Sequence, residues 1–195
     1  MGIYKNAAGV VLPDASPSGV PALAAAELQA LLKSPVPLFT DRSTLASVSV
    51  DGTEDDLLTN TIAAGQLAAN GDRIDFEYVL NGVTHATATR RYRAYFAGTK
   101  FTDSNNLAST TGHWAEMQGS IIRVSSTAVR VLFELVAVTD TTKQVIAVVM
   151  GKLDITDLDL STALVFKVTG TAAGTGAAEG DILLHGGSLT YVPSP

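Results

Sequence analysis

Ile74-Asp-Phe-Glu-Tyr-Val-Leu80 is the stretch on which the fold class turns. Successive side chains of a β-strand point to opposite faces, so Ile74, Phe76, Tyr78 and Leu80 share one face while Asp75 and Glu77 share the other. Asn81-Gly82 follows at once, and that dipeptide predicts a two-residue hairpin turn because both positions accept positive φ. Outward from this segment the period of two recurs. Arg90–Phe96 sets Tyr92, Ala94 and Phe96 opposite Arg91, Arg93 and Tyr95. Ile121–Val124, Val129–Val138, Val145–Leu153 and Leu164–Thr169 are further β-branched segments, with Asp140-Thr-Thr-Lys143 as a polar turn between two of them. Asp181–His185 and Ser188–Val192 flank Gly186-Gly187, which reads as a bulge or a bend. No helix-period segment of useful length follows residue 57. Some eight strands without helices predict an all-β domain, a single antiparallel sandwich, jelly roll or closed barrel. No fixed-period repeat marks a propeller or a solenoid. The small-residue stretch Ala172–Gly180 predicts a loop.

Residues 1–50 have a different texture. Pro13, Pro17, Pro21, Pro35 and Pro37 all fall there, and only Pro193 and Pro195 lie beyond. Between the proline groups, Pro21–Lys33 predicts one short helix. Ser18 or Gly19 serves as its cap, Pro21 suits the first turn, and Lys33 sits at the end that favours cations. Leu23, Leu28, Leu31 and Leu32 give it an apolar stripe, and Ser34-Pro-Val-Pro37 stops it. So short a helix is marginal in water and must dock on something. The expected organisation is an N-terminal arm or anchor over 1–50 and a β-domain over 51–195.

The 195 residues are 46% hydrophobic and 16% charged, well below the charge content of about 25% usual for a soluble domain. Mean hydropathy is +0.25. No stretch reaches the roughly 18 apolar residues of a membrane helix; the longest runs are Val131–Val138, interrupted by Glu134, and Val145–Met150. Such a chain has apolar surface to hide, either in a well-filled core or against other subunits. The net charge of −6 opposes nucleic-acid binding, and the only basic cluster is Arg90, Arg91 and Arg93. No cysteine is present, which excludes disulfides and thiolate metal sites. The N-terminus has neither a basic n-region nor an apolar core, and Asn6 stands where a myristoylation signal wants Ser or Thr. Synthesis and use without secretion are the expectation.

A search for chemistry yields no catalytic, cofactor or metal residues. His85, His113 and His185 form no metal-spaced pair, and the His-x-His strand motif of a metal-binding jelly roll is missing. There is no Gly-x-Ser-x-Gly elbow. Gly170–Gly176 superficially resembles a phosphate loop without its Gly-Lys-Ser/Thr ending, and reads as a turn. Two acidic clusters, Asp51/Glu54/Asp55/Asp56 and Asp154/Asp157/Asp159, have the oxygens calcium wants but not EF-hand spacing; solvated loop carboxylates are the simpler reading. Trp114 is the lone tryptophan, for which packing in a core or subunit interface ranks above sugar stacking. For Arg91 and Arg93, pairing with carboxylates across the sheet ranks above gripping an anionic partner.

Two stretches carry a resemblance. The first is Leu57-Leu-Thr-Asn-Thr-Ile-Ala-Ala-Gly-Gln-Leu-Ala-Ala-Asn-Gly-Asp-Arg-Ile74 with Arg91-Tyr-Arg-Ala-Tyr-Phe-Ala-Gly98. The second is Leu158-Asp-Leu-Ser-Thr-Ala-Leu-Val-Phe-Lys-Val-Thr-Gly170 with Gly180-Asp-Ile182 and Leu189-Thr-Tyr-Val-Pro193. Together, over about residues 57–193, they resemble the jelly-roll domain of tailed-bacteriophage capsid decoration (cement), head-fibre and tail-fibre proteins. Asn70-Gly71-Asp72, Gly98, Gly170 and Tyr191-Val-Pro193 are the most telling points. The resemblance implies a jelly roll, a homotrimer on a virion surface, no catalytic residues, and turn-shaping roles for Asp72 and Asp181. The leading expectation is a capsid decoration protein, made in the host cytoplasm and held on the outer capsid surface by its arm gripping the major capsid protein. The alternative is a head-fibre or tail-fibre tip that recognises a host-surface glycan. A polysaccharide-active enzyme ranks third, for want of converging carboxylates.

Overall fold

The computed structural model describes residues 4–5, 11–12, 35–41, 52–83, 88–108, 112–174, 177 and 181–194. The chain divides into two compact units, residues 1–34 with Pro195, and Pro35–Ser194. In the first, β1 (Tyr4–Lys5) pairs antiparallel with β2 (Val11–Leu12). The expected helix over 21–33 lies outside the described residues.

The second unit is all-β and antiparallel. Its strands are β3 (Val36–Asp41), β4 (Asp55–Ile62), β5 (Arg73–Gly82), β6 (Thr89–Phe96), β7 (Thr99–Asp103), β8 (Leu107–Ala108), β9 (His113–Ser125), β10 (Ala128–Thr139), β11 (Val145–Ile155), β12 (Leu164–Ala173) and β13 (Ile182–Val192). A large sheet runs β11-β10-β9-β5-β13-β3, and a small one β4-β12-β6-β7 with β8 added on β6. Without the β10–β11 hairpin the large sheet reads β9-β5-β13-β3. The chain then crosses between sheets in the sequence that defines a jelly roll: β3 large, β4 small, β5 large, β6 and β7 small, β9 large, β12 small, β13 large. The fold is therefore a jelly roll whose large sheet is widened by one inserted hairpin.

Three sequence expectations are corrected by the structure, and a fourth is narrowed to one of its alternatives. The β-domain begins at Pro35 rather than at residue 51, because Val36–Asp41 pairs with β13. A strand carrying Pro37 is tolerated there because β3 is an edge, and the register slips between Leu189 and Thr190 where Pro37 is met. Asn81-Gly82 is not a turn. Asn81 faces Trp114 and Leu183, and Gly82 faces His113 and Ile182, all within the sheet. Gly82 is there for closeness: a Cβ would run into the His113 ring and lie 2.7 Å from the Tyr92 hydroxyl. The tight hairpin instead joins β6 to β7 through Ala97 (φ 48°) and Gly98 (φ 78°), the positive pair a two-residue turn demands. Gly170–Ala173, read as part of a turn, is the end of β12, paired with Tyr92–Thr89. Of the bulge or bend expected at Gly186-Gly187 the structure has the bulge, at His185 between Leu184 and Gly186, and the two flanking segments are one continuous strand.

The core explains three strand glycines. Phe76 of β5, Phe101 of β7 and Phe166 of β12 pack with centroids 5.2 to 6.0 Å apart, and Phe133 of β10 joins Phe101 at 5.7 Å. Tyr78 stacks on Phe166 at 5.5 Å. Phe76, Gly119, Phe133 and Gly151 are cross-strand neighbours in one row of the large sheet. A Cβ on Gly119 would lie 2.6 Å from the Phe76 ring, and one on Gly151 2.9 Å from that of Phe133. Gly187 is overlain by the Tyr78 ring in the same way. Each ring lies across a neighbouring glycine and covers its bare backbone.

Truncating Phe166, which packs on Phe76, Tyr78 and Phe101, tests the arrangement. Phe166→Ala is expected to cost about 3–5 kcal/mol in urea unfolding, the range for deleting a buried aromatic. Val165→Ala, on the outward face of the same strand, is expected to cost less than about 0.5 kcal/mol.

Candidate functional site

The outer face of the small sheet gathers the charged residues. Arg91, Arg93 and Tyr95 point away from the core because Tyr92, Ala94 and Phe96 of β6 point into it. Arg91 donates twice to Asp103 of β7, both at 2.6 Å. Arg93 contacts Asp103 at 3.4 Å, Glu54 at 2.6 Å and the Thr171 hydroxyl at 3.0 Å. Lys100 adds a third cation on Asp103 at 2.7 Å. Glu54 also accepts from the Tyr95 hydroxyl at 2.6 Å and from the Thr169 hydroxyl. Lys167 pairs with Asp56 at 2.8 Å and lies over the Tyr95 ring at 5.6 Å. Burial pushes the Asp103 carboxyl up, but hydrogen bonds from Arg91, Lys100 and the Asn105 amide outweigh it and hold the group well below the usual carboxylate range. Burial and the hydrogen bond to Glu54 push Tyr95 up to about 12.

The third arginine goes inward. Arg90 is fully buried and pairs with Asp181 at 2.8 Å. Its remaining donors reach the carbonyls of Asp181 (3.1 Å), Thr89 (3.1 Å) and Val83 (3.4 Å). Beside it the Tyr92 hydroxyl meets Nε2 of the buried His113 at 2.7 Å. These contacts link β6 of the small sheet to β9 of the large one and to Val83 and Asp181, the residues that border β5 and β13. Asp181, to which the resemblance gave a turn role, is thus one half of a buried ion pair. Asp72 does shape its turn: its carboxylate accepts from the amides of Ala69 (2.7 Å) and Ser194 (2.8 Å), which fastens the C-terminal segment to it.

The acidic clusters do not converge. Glu54 and Asp56 are taken by cations, Asp154 binds Arg130 at 2.7 and 3.1 Å, and Asp159 accepts from the Ser161 amide and hydroxyl. Asp51 and His85 lie outside the described residues. Among the described residues no group of three His, Cys, Asp or Glu is placed to hold a metal ion. Asp103 escaped the sequence reading, although it is the hub of the outer face. Its signal was available only as Lys100-x-x-Asp103 in a segment too short to announce itself as a strand.

The outer face of the large sheet has the opposite character. Trp114 is 37% exposed rather than in the core, its ring 4.7 Å from that of His185. Val79, Val136 and Val138 share the shallow recess at Trp114. On the inserted hairpin, Leu132, Val145, Ile146, Val148 and Met150 are exposed.

The two ionic centres respond differently to perturbation. Asp181→Ala leaves the Arg90 guanidinium buried without its carboxylate, and is expected to cost about 3–5 kcal/mol in chemical denaturation. Asp103 has a depressed folded pKa, so its contribution is present above the unfolded value of about 3.9 and is lost as pH falls through the folded one. Asp103→Asn is therefore expected to be less stable than the native chain at pH 7 and to lose less on acidification to pH 3, read from unfolding curves along a pH series.

No family model matches the chain, and no curated protein does. Among solved structures it is similar to the infectious bursal disease virus VP2 subviral particle, at 13% identity and a TM-score of 0.33. The similarity covers 81% of this chain and 31% of that one, so the chain spans under a third of the length of the structure it matches.

Proposed function

We propose that this chain is a non-enzymatic structural protein of a tailed-bacteriophage virion: a trimeric capsid decoration protein that sits on the outer capsid surface and binds the major capsid protein through its N-terminal segment. The observation that carries the reading is a segregation of surface chemistry. On the small sheet, charged side chains are committed to one another in internal ion pairs. On the inserted hairpin, large apolar side chains are left on the surface. Assembly needs that distribution, whereas catalysis needs polar groups held ready for a substrate. The jelly-roll strand order and the quoted resemblance over residues 57–193 point the same way. No catalytic residue, cofactor, metal, nucleic acid or membrane enters this function. A second reading, a fibre tip recognising a host-surface glycan, is favoured by one feature, the half-exposed Trp114 ring beside His185. An exposed aromatic face of this kind is able to stack on a sugar.

The two separate on binding. The full-length protein is expected to bind purified phage shells at a fixed stoichiometry by co-sedimentation, and a chain lacking residues 1–34 is expected to lose that binding. A chain that ignores shells, binds host-surface polysaccharide and loses it on Trp114→Ala is a fibre tip instead.

A further inference from the structure

Among the described residues the two sheets of the second unit have four edges, and three of them are ill suited to further apolar pairing. β3 is six residues long, with Pro37 inside it and Asp41 at its end. β7 is five residues long and carries Lys100 and Asp103. β4 opens with Asp55-Asp56, and further along it exposes Thr59 and Thr61 rather than large apolar side chains. Shortness, proline and charge are the means by which native sheets keep an edge from recruiting another strand. The fourth edge is set apart by large apolar side chains left exposed along an uncharged run. β11 runs from Val145 to Ile155, pairs with β10 on one side, and has no strand on its other side among the described residues. Val145-Ile-Ala-Val-Val-Met-Gly151 contains no charge and no proline. Val145 (54%), Val148 (51%) and Met150 (65%) are the most exposed large apolar side chains among the described residues.

We propose that β11 is a homotypic contact, pairing antiparallel with β11 of a second copy about a two-fold axis at Val148, so that two six-stranded sheets become continuous. The sequence fits itself in this register. Ala147 meets Val149 of the second copy, Val148 meets its own equivalent, and Ile146 lies opposite Met150; the span ends there, because a bulge lets Val145 rather than Ile146 pair with Val138 of β10. Within Ala147–Val149 the paired positions differ by an even number of residues, so the exposed Val148 side chains meet on one face and Ala147 meets Val149 on the other. Lys152 and Asp154 fall outside the paired span, and no charge is set against an apolar side chain. The chain carries a net charge of −6, so copies repel, and an uncharged edge is where that repulsion costs least. A two-fold contact uses the same edge on both copies and closes on itself, giving discrete pairs rather than fibres. The pairing does not depend on the virion reading, and a trimer built on other surfaces would be joined to its neighbours through it.

The native chain has no cysteine, which makes a direct test available. Residues directly opposite in an antiparallel pair have Cα atoms about 4.5–5.5 Å apart, within disulfide range. Full-length Val148→Cys is expected to form a disulfide-linked dimer in most of the protein under mild oxidation. Val145→Cys, which lies beyond the bulge at Ile146, and Val124→Cys, exposed on β9, are expected to stay largely reduced. Val148→Lys is expected to weaken association at least tenfold by light scattering with an unchanged far-UV spectrum, since that side chain is half exposed and lies outside the core. A stable monomer at tens of micromolar, or a trimer in which the Val148→Cys variant cross-links no better than the Val124→Cys variant, would overturn the proposal. Loss of shell binding with intact cross-linking of the Val148→Cys variant would sink the virion reading and leave the pairing standing.

Discussion

The packing of Phe76 against Phe166 holds the two sheets in register, and much of the remaining architecture follows from it. A jelly roll has no covalent link between its layers, and this chain has no cysteine to provide one. Rings from β5, β7, β10 and β12 meet at the centre instead. Aromatic side chains bury large apolar areas and gain further from tilted contacts, which makes a few of them enough to bind two sheets. The rings are accommodated by glycines: Gly119, Gly151 and Gly187 sit where a Cβ would collide with Phe76, Phe133 and Tyr78. Glycine ordinarily weakens a strand, but here the overlying ring restores the lost contact area.

Polar contacts then fix the ends of the sandwich. Arg90–Asp181 and Tyr92–His113 lie together where β5, β6, β9 and β13 approach, and Gly82 leaves room for them. A buried ion pair adds little net stability over an apolar substitute, yet it tolerates no loss of one member. It therefore acts as a constraint on which strands meet. Asp72 does the same for the C-terminal segment by holding the Ser194 amide. The ionic face built on Asp103 and Glu54 is more exposed and closes the small sheet's surface to outside anions, since its arginines already have carboxylate partners.

The inserted β10–β11 hairpin stands apart from this economy. It widens the large sheet beyond the eight strands of the jelly roll and brings out apolar side chains that the small sheet does not cover. Surface of this kind in a protein of low charge content is a place for another molecule to sit. The run Val145–Met150 was visible in the sequence as an apolar segment. Its position at an edge was not, because edge and centre differ only in what lies alongside.

By itself the sequence determined the all-β class, the facing of β5 and β6, and the polar turn at 140–143, since these depend on side chains alternating along one strand. The pairing of Arg91 and Arg93 with carboxylates also followed from residue type and face. What only the tertiary structure decided were features that depend on a neighbouring strand. Asn81-Gly82 has the composition of a hairpin turn, yet it continues as strand because His113 and Tyr92 need the space above Gly82. Val36–Asp41, with its proline, has the composition of an arm, yet it pairs with β13 because an edge does not require every amide. Arg90 and Arg91 are adjacent in sequence and alike in chemistry. The pleat sends one into the core to Asp181, just before β13, and the other out to Asp103 across the β6–β7 hairpin, and composition alone does not tell which arginine takes which partner.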